Sequence, residues 1–238
     1  MAPDPGPRSN RLLAALSPDD YAALAPYLRP ARLRRGEALI EPGEAVGHLL
    51  FPHDCVVSLV AVLEDGGTAE TGTVGREGVL GLVSGLGGRR PIARAVVRVP
   101  GTASRIDAAR FHAAFEARPG VRRLSLGYAG ALVAQMLQTA ACNAHHRVEA
   151  RLARWLLVMH DRVAGSALPL THEFMAEMLG VQRSTLTPAA AALRDAGLIR
   201  YRRGVVEILD RPGLEAAACE CYRVVRDQFE QALPEFRG

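Results

Sequence analysis

Residues 170–209 read LTHEFMAEMLGVQRSTLTPAAAALRDAGLIRYRRGVVEIL, and this stretch decides the fold. Its first part predicts a short helix over residues 174–179, which Thr171 opens and Gly180 ends in the left-handed conformation. A second helix is predicted over residues 183–196. Its buried face carries apolar residues at helical spacing, at Leu186, Ala190 and Leu193. Two short helices joined by a tight glycine turn form a helix-turn-helix.

A basic hairpin follows the second helix. Residues 198–202 and 205–209 predict two strands joined at Arg203 and Gly204. Between residues 183 and 203 the chain carries five arginines and one acidic residue, a local balance of +4. Such a hairpin is typical of the wing of a winged helix-turn-helix that binds duplex DNA. The side chains predicted to contact DNA phosphates are Thr171, Thr185, Arg200, Arg202 and Arg203.

The start of the second helix is polar on its outward side. An arginine there can donate two hydrogen bonds to guanine, and a helix N-terminus favours phosphate. The residues predicted to read base edges are Gln182, Arg183, Ser184 and Thr187. Pro188 removes one backbone hydrogen bond near Ser184, so we expect a kinked or tightened first turn. The alanine run after it favours helix strongly, so the helix should persist.

The hydrophobic period changes to two upstream, over residues 31–106. Glycines there separate short β runs at residues 48–51, 56–63, 68–74 and 93–99. This pattern predicts a jelly-roll-like β-roll, a double-stranded β-helix. The fold class is therefore α+β, with the β-roll first, a long dimerisation helix next and the winged helix-turn-helix last.

A long helical stretch lies between the two predicted folding units. Its narrow apolar stripe is typical of a helix pair and predicts a dimer interface at Ala129, Leu132, Met136, Ala140 and Asn143. The alternative is that this stripe packs on the chain's own β-roll. A second amphipathic helix is predicted over residues 151–163, with Leu152, Trp155, Leu156 and Met159 facing inward.

Length and composition fit a two-domain globular protein of 238 residues. We expect a disordered leader over residues 1–16, a sensor β-roll over 17–120, a dimerisation helix over 121–146, and a winged helix-turn-helix with a helical tail over 147–238. No apolar run approaches the roughly 20 residues of a membrane span, and the leader does not resemble a signal peptide. These features predict a cytoplasmic protein. The net charge of +4 does not by itself establish a nucleic-acid partner.

The four cysteines, at positions 55, 142, 219 and 221, predict reduced packing thiols rather than a disulfide framework. Cys142 with His145 and His146, or Cys219 with Cys221, offers an incomplete metal ligand set. We therefore predict no metal site. The sequence shows no nucleophile elbow, metal-binding His-Glu pair or phosphate loop, so an enzyme is not expected.

The chain resembles the Crp/Fnr family of transcription regulators over about residues 17–215. The resemblance is carried by RGE at 35–37, EPGE at 41–44 and LLF at 49–51, and most diagnostically by residues 171–199. It implies a homodimer on a partly palindromic operator, with the long helix as the interface and RNA polymerase as a further candidate partner. It also implies that Arg183, next to Ser184, is at the base-reading corner. Pro188 replaces what is often a basic residue in the family, so one expected contact lacks its usual side chain.

The effector pocket departs from the family pattern. Nucleotide-binding members carry a Gly-Glu pair and a later Arg-Ser or Arg-Thr pair that holds the cyclic phosphate. Here Arg76 interrupts the first pair, and Ala93 and Arg94 stand at the second. The resemblance therefore implies that the β-roll does not bind cyclic AMP in the usual manner. The candidate residues for another effector are Glu77, Arg89, Arg90 and Arg94.

No cofactor is expected. An N-terminal cysteine cluster is absent from the sequence, which argues against an iron-sulfur centre, and nothing marks His145 or His146 as a haem ligand. Two alternatives to a regulator without a known effector remain open. One is a cyclic-nucleotide-responsive regulator with a non-standard pocket; the other is a protein-interaction module without DNA binding.

Overall fold

The N-terminal segment folds into short helices. The structure is a computed structural model that describes residues 6–64, 66–87, 90–163 and 165–233. The helical elements are a 3₁₀ helix at Pro7–Ser9, α1 at Arg11–Ala14, α2 at Pro18–Leu24 and a 3₁₀ turn at Ala25–Tyr27. Asn10 caps α1, and its side-chain amide donates to the carbonyls of Pro52 and Gly78 at 2.9 and 2.8 Å.

The prediction that residues 1–16 form a disordered leader is wrong from residue 6 onward. Leu12 and Leu13 are buried in the core of the β-roll, and Leu16 joins the same core. Burial of three leucines supplies the free energy that orders this segment. Residues 1–5 of the predicted leader lie outside the described part of the chain.

The predicted β-roll is confirmed. Its strands are β1 (Arg29–Leu33), β2 (Ala38–Ile40), β3 (His48–Pro52), β4 (Val56–Val62), β5 (Thr68–Val74), β6 (Arg94–Val99) and β7 (Gly101–Asp107). They pair antiparallel in two sheets, ordered β1-β7-β3 and β2-β6-β4-β5. Alternate residues such as Leu49 and Phe51 on β3 are fully buried between the sheets. Helix α3 (Leu82–Gly87) lies between β5 and β6, and α4 (Ala108–Ala117) follows β7.

The long helix is α5 (Pro119–His145), and α6 (Val148–His160) begins just after it. Within the single chain, Leu132 of the predicted dimer stripe is buried, and Ala129 and Met136 pack partly buried against the chain's own β-roll. These contacts favour the alternative that this part of the stripe packs on the β-roll. Ala140 and Asn143 are exposed. A different apolar face of α5 is exposed instead, at Leu126, Val133 and Leu137.

The C-terminal domain contains the predicted helix-turn-helix and wing. Its elements are β8 (Ala167–Leu168), α7 (His172–Leu179), α8 (Arg183–Asp195), β9 (Ile199–Arg202) and β10 (Val205–Ile208). The strands form a sheet ordered β8-β10-β9. Leu152, Trp155, Leu156 and Met159 on α6 are buried in the core of this domain, as predicted.

Two helices end the described chain, α9 (Arg211–Ala217) and α10 (Cys221–Ala232). Helix α10 packs along α5, and Val225, Phe229 and Leu233 join the core of the β-roll. The prediction that the tail belongs with the helix-turn-helix is therefore wrong for these residues, because the apolar face of α10 meets the long helix.

A buried polar contact joins the two domains. The carboxyl group of Glu70 on β5 accepts hydrogen bonds from Trp155 Nε1 at 2.8 Å, from Thr73 Oγ1 at 3.0 Å and from the Ser58 hydroxyl. Burial raises the pKa of Glu70, and these three hydrogen bonds oppose that shift. At the edge of the same interface, the Arg98 guanidinium lies 4.7 Å from the centre of the Phe174 ring. The β-roll thus holds the first helix of the helix-turn-helix in a defined place.

Candidate functional site

The turn between α7 and α8 has the local geometry that the sequence predicts. Thr171 Oγ1 accepts a hydrogen bond of 3.2 Å from the Phe174 backbone N–H, which caps α7. Gly180 adopts the left-handed conformation, with φ 61° and ψ 40°. A residue with a Cβ is disfavoured there, so the glycine fixes where α8 starts.

Helix α8 runs without interruption through Pro188, as predicted. The backbone N–H groups of Thr185 and Leu186 both donate to the carbonyl of Gln182, at 2.9 and 3.1 Å. The Thr187 hydroxyl donates 2.9 Å to the carbonyl of Arg183. The opposite face of α8 is buried, at Leu186, Ala189, Ala190 and Leu193.

The residues predicted to read bases lie together on the exposed edge of α8. All four are exposed, namely Gln182, Arg183, Ser184 and Thr187. Thr185, which is predicted to contact phosphate, is exposed as well. Arg183 Nη1 lies 2.8 Å from Glu173 Oε1, an ion pair between two exposed side chains. Glu173 was not among the predicted site residues, although an acidic residue in the first turn of α7 is visible in the sequence. Such exposed pairs contribute little free energy, so Arg183 is available to another acceptor.

The wing is an antiparallel hairpin with a tight turn. Arg203 and Gly204 both have positive φ angles, 49° and 77°, as a two-residue type I′ turn requires. Arg200 makes two hydrogen bonds to the carboxylate of Glu207 on the facing strand, at 3.1 and 2.6 Å. Arg202 and Arg203 are exposed, and no described residue forms an ion pair with either. The wing therefore presents two uncompensated positive charges at its tip.

The wing tip packs against the start of α7. The rings of His172 and Tyr201 are 4.3 Å apart between centroids, and a Cβ added to Gly204 would lie 3.7 Å from Thr171 Cγ2. Burial lowers the pKa of His172, and the positive charge of Arg183 lowers it further. These contacts bring Thr171, Arg183 and the wing to one face. His172 and Tyr201 were not among the predicted site residues, because their contact forms only when the wing packs against α7.

A cavity of about 260 Å³ lies in the β-roll against α5. It is lined mostly by aliphatic side chains, among them Leu59, Val79, Leu132 and Met136, with the Ser84 hydroxyl as a polar group. Within the described part of the chain, its lining holds no charged residue. The cavity therefore offers nothing to pair with a cyclic phosphate.

The predicted effector residues lie elsewhere. Arg94 forms an ion pair of 2.8 Å with Glu41, and Arg90 donates to the carbonyl of Gly43 at 2.9 Å. Arg89 lies outside the described residues. Neither Arg90 nor Arg94 lines the cavity, because each contacts the segment around residues 41–43 instead.

Glu77 has a structural position instead. It is 1% exposed and pairs with Arg162 at 2.8 Å, which joins the β-roll to the segment after α6. A Cβ on Gly75 would lie 2.7 Å from the Arg162 Cβ, so the glycine lets Arg162 approach Glu77. Glu77 Oε1 accepts hydrogen bonds from Arg162 and from the backbone N–H of Gly75, so Glu77 makes a structural contact where an effector contact was predicted.

Three of the four cysteines come together with a histidine between α5 and α10. The potential ligand atoms of Cys142, His146, Cys219 and Cys221 all lie within 4.8 Å of one another. The two groups that the sequence analysis considered separately, each incomplete, thus combine into one set of four candidate ligands that does not include His145. This convergence could not be predicted from local sequence because Cys142 and Cys219 are 77 residues apart in the chain. Cys55 is buried separately in the β-roll.

Two family models match the chain. Residues 150–217 match the Crp-like helix-turn-helix domain, and residues 30–118 match the cyclic nucleotide-binding domain. Among curated protein sequences, none matches this chain. None of the described helices has the length and hydropathy that a membrane span requires.

Solved structures share this fold over about four fifths of the chain. FixK2 from Bradyrhizobium japonicum has a TM-score of 0.70 at 16% identity, covering 81% of this chain and 98% of its own. A CRP-family regulator of Thermus thermophilus has a TM-score of 0.65 at 22% identity, covering 79% and 96%. The c-di-GMP-responsive global regulator CLP of Xanthomonas campestris has a TM-score of 0.63 at 17% identity, covering 82% and 100%. At these identities the likeness concerns the fold.

Proposed function

We propose that this chain, which belongs to the Crp/Fnr family of transcription regulators, is a homodimer that binds a partly palindromic DNA operator. One observation carries the proposal: the exposed polar edge of α8 and the basic wing share a single face. A groove-reading helix beside a phosphate-binding hairpin is the arrangement that sequence-specific DNA binding uses.

The two parts of this face have different roles in the proposal. Arg183 reads base edges in the major groove, together with Gln182, Ser184 and Thr187 beside it. Arg202 and Arg203 bind phosphates, with Thr171 and Thr185 as further phosphate contacts. Arg200 contributes less than its neighbours, because Glu207 already neutralises it.

The exposed apolar face of α5 is the proposed dimer seam. Leu126, Val133 and Leu137 are 57%, 51% and 68% exposed, and they are spaced seven and four residues apart. This is the spacing of a coiled-coil seam. A second copy of α5 would cover this face and set two α8 helices on successive turns of DNA.

The cavity of the β-roll favours an uncharged, apolar effector over a cyclic nucleotide. Its lining is aliphatic, and Arg90 and Arg94 are held outside it. CLP responds to c-di-GMP, but that phosphodiester would need positive charges that this cavity lacks in its described lining. We expect no calorimetric titration by cyclic AMP; a clear one at micromolar affinity would contradict this part of the proposal.

A transcription regulator of this type works in the cytoplasm, where RNA polymerase is available as a partner, and it needs no catalytic activity. The test is selection of bound fragments from the genome of origin, followed by retardation of the selected duplex across a salt series. We expect one inverted-repeat motif and an affinity that falls steeply as salt rises. Failure to retard any duplex at low salt would refute the proposal and favour a protein-interaction module.

A further inference from the structure

The cluster of Cys142, His146, Cys219 and Cys221 has the dimensions of a tetrahedral metal site. The Cys142 and Cys219 sulfurs are 3.5 Å apart, and Cys221 Sγ is 3.5 Å from His146 Nδ1. A zinc ion holds sulfur at about 2.3 Å and nitrogen at about 2.0 Å, which places neighbouring ligands about 3.5–3.8 Å apart in a tetrahedron. The observed spacings therefore need little adjustment.

The groups around the ligands have the polarity that a metal site requires. His146 Nδ1 faces the sulfurs, while its Nε2 lies 3.2 Å from the carboxylate of Glu220. A carboxylate that accepts the second N–H of a ligating histidine fixes its tautomer and strengthens it as a ligand. Gln138 donates a hydrogen bond of 3.0 Å from its amide to Cys221 Sγ. An N–H donor to sulfur is the kind of outer-shell contact that supports a ligating cysteine.

Two buried arginines supply positive charge beside the cluster. Arg151 and Arg154 are 7% and 4% exposed, and both interact electrostatically with Cys142. The described part of the chain offers the Nε group of each no hydrogen-bond partner. A divalent ion with three thiolates and one neutral imidazole carries a net charge of −1, and the Glu220 carboxylate beside His146 adds another −1, so the two guanidinium groups balance the site. Three neutral thiols would leave the arginines without that compensation.

We infer that Cys142, His146, Cys219 and Cys221 bind one structural zinc ion. Four protein ligands complete a closed tetrahedral site of the Cys₃His type. The four ligand atoms lie too close together to surround a cluster of several irons, which separates its ligands around more than one metal. The ion would tie the segment between α9 and α10 to the end of α5, next to the start of α6. This inference is independent of the DNA-binding proposal, because it concerns residues away from α8 and the wing.

The test is the metal content of the full-length protein, purified under reducing conditions without added metal. We expect about one zinc per chain by elemental analysis, released when a mercurial blocks the thiols. Replacement by Co²⁺ should give the intense visible bands of tetrahedral cobalt together with thiolate-to-cobalt charge transfer. Iron with a sulfide-type visible spectrum, a Cys142 to Cys219 disulfide, or octahedral cobalt bands would each overturn the assignment.

Matched variants separate a metal role from simple packing. Cys219→Ser should lose the zinc, whereas Cys55→Ser, which changes a buried cysteine in the β-roll, should keep it. His146→Cys should retain one zinc through a Cys₄ set, while His146→Ala should release the ion to a chelator at least tenfold faster. If His146→Ala and Cys219→Ser both keep the zinc as firmly as the parent chain, the inference is refuted. Folding of each variant is checked by circular dichroism, and the cobalt spectrum of the unmodified chain gives a readout that does not depend on any variant.

Discussion

The carboxyl group of Glu70 on β5 accepts a hydrogen bond of 2.8 Å from the indole N–H of Trp155 on α6. Both residues are nearly inaccessible to solvent, and they belong to different domains. Because an unsatisfied buried polar group is costly, movement of α6 away from β5 must find new partners for both groups. This contact is therefore a point at which the state of the β-roll affects the position of the helix-turn-helix.

The first prediction concerns the pH dependence of stability. Burial raises the pKa of Glu70 above the 4.5 of the unfolded chain, so the folded state binds the proton more tightly. The stability gained from this proton is present below pH 4.5 and is lost as pH rises toward the raised folded pKa. Glu70→Gln removes this titration while keeping an oxygen for Trp155. We expect the free energy of unfolding of the parent chain to fall relative to Glu70→Gln, by up to about 1.4 kcal/mol per pH unit in that window.

Denaturant unfolding at a series of pH values measures this difference. Both proteins are followed by Trp155, which is the one tryptophan in the sequence. Parallel curves for the two proteins from pH 4.5 to pH 8 would show that Glu70 does not titrate in the folded state over that range.

The second prediction concerns assembly. Leu137→Glu places a charge in the proposed seam of α5, and burying two such charges against each other is strongly unfavourable. We expect the dimer to dissociate at least tenfold more readily and to bind an inverted repeat more weakly. Light scattering after size-exclusion chromatography gives the mass.

Leu63→Glu is the matched control for the dimer prediction. Leu63 is 58% exposed, similar to Leu137, but it lies after β4 on the β-roll. This variant should remain dimeric. A Leu137→Glu protein with the mass and operator affinity of the parent chain would rule out this face as the interface.

Local features of the sequence were sufficient to predict the helix-turn-helix and wing. The cap at Thr171, the left-handed Gly180 and the turn at Gly204 act within a few residues of themselves, so each can be read from the sequence. The dimer face could not be predicted in the same way. Helix α5 carries apolar residues on two faces, one with Leu132 and one with Leu137. The hydrophobic period alone does not determine which of these faces packs against the β-roll.

Contacts between distant residues account for the other errors. Glu77 and Arg162 are 85 residues apart, and so are Glu70 and Trp155. Nothing in the local sequence around Glu77 shows that a buried arginine will neutralise it. The convergence of Cys142 with Cys219 was missed for the same reason, because it depends on how α10 packs along α5.

The third prediction concerns the salt dependence of DNA binding. Arg202 is exposed on the wing and is proposed to neutralise one phosphate. Arg202→Ala should weaken binding to all duplexes and reduce the slope of log K against log salt by about 1 for each protomer. Fluorescence anisotropy over a salt series measures that slope.

Arg110→Ala serves as the control for the salt prediction. It removes an exposed arginine on α4 of the β-roll, away from the proposed interface, and should leave the slope unchanged. An equal loss of slope in both variants would indicate a general charge effect rather than a phosphate contact by the wing.

The fourth prediction separates base reading from charge. Arg183→Lys keeps the positive charge of α8 but loses the planar fork that makes two hydrogen bonds to guanine. We expect it to lose about 1–3 kcal/mol of discrimination at one base pair of each half-site, with a salt slope close to that of the parent chain. Glu173→Gln leaves Arg183 in place and removes its ion-pair partner, so it should retain the preference for that base pair. Selection from a randomised operator library measures both variants. If Arg183→Lys selects the same bases as the parent chain, Arg183 does not read the operator, and the reading edge of α8 must then lie at Gln182, Ser184 or Thr187.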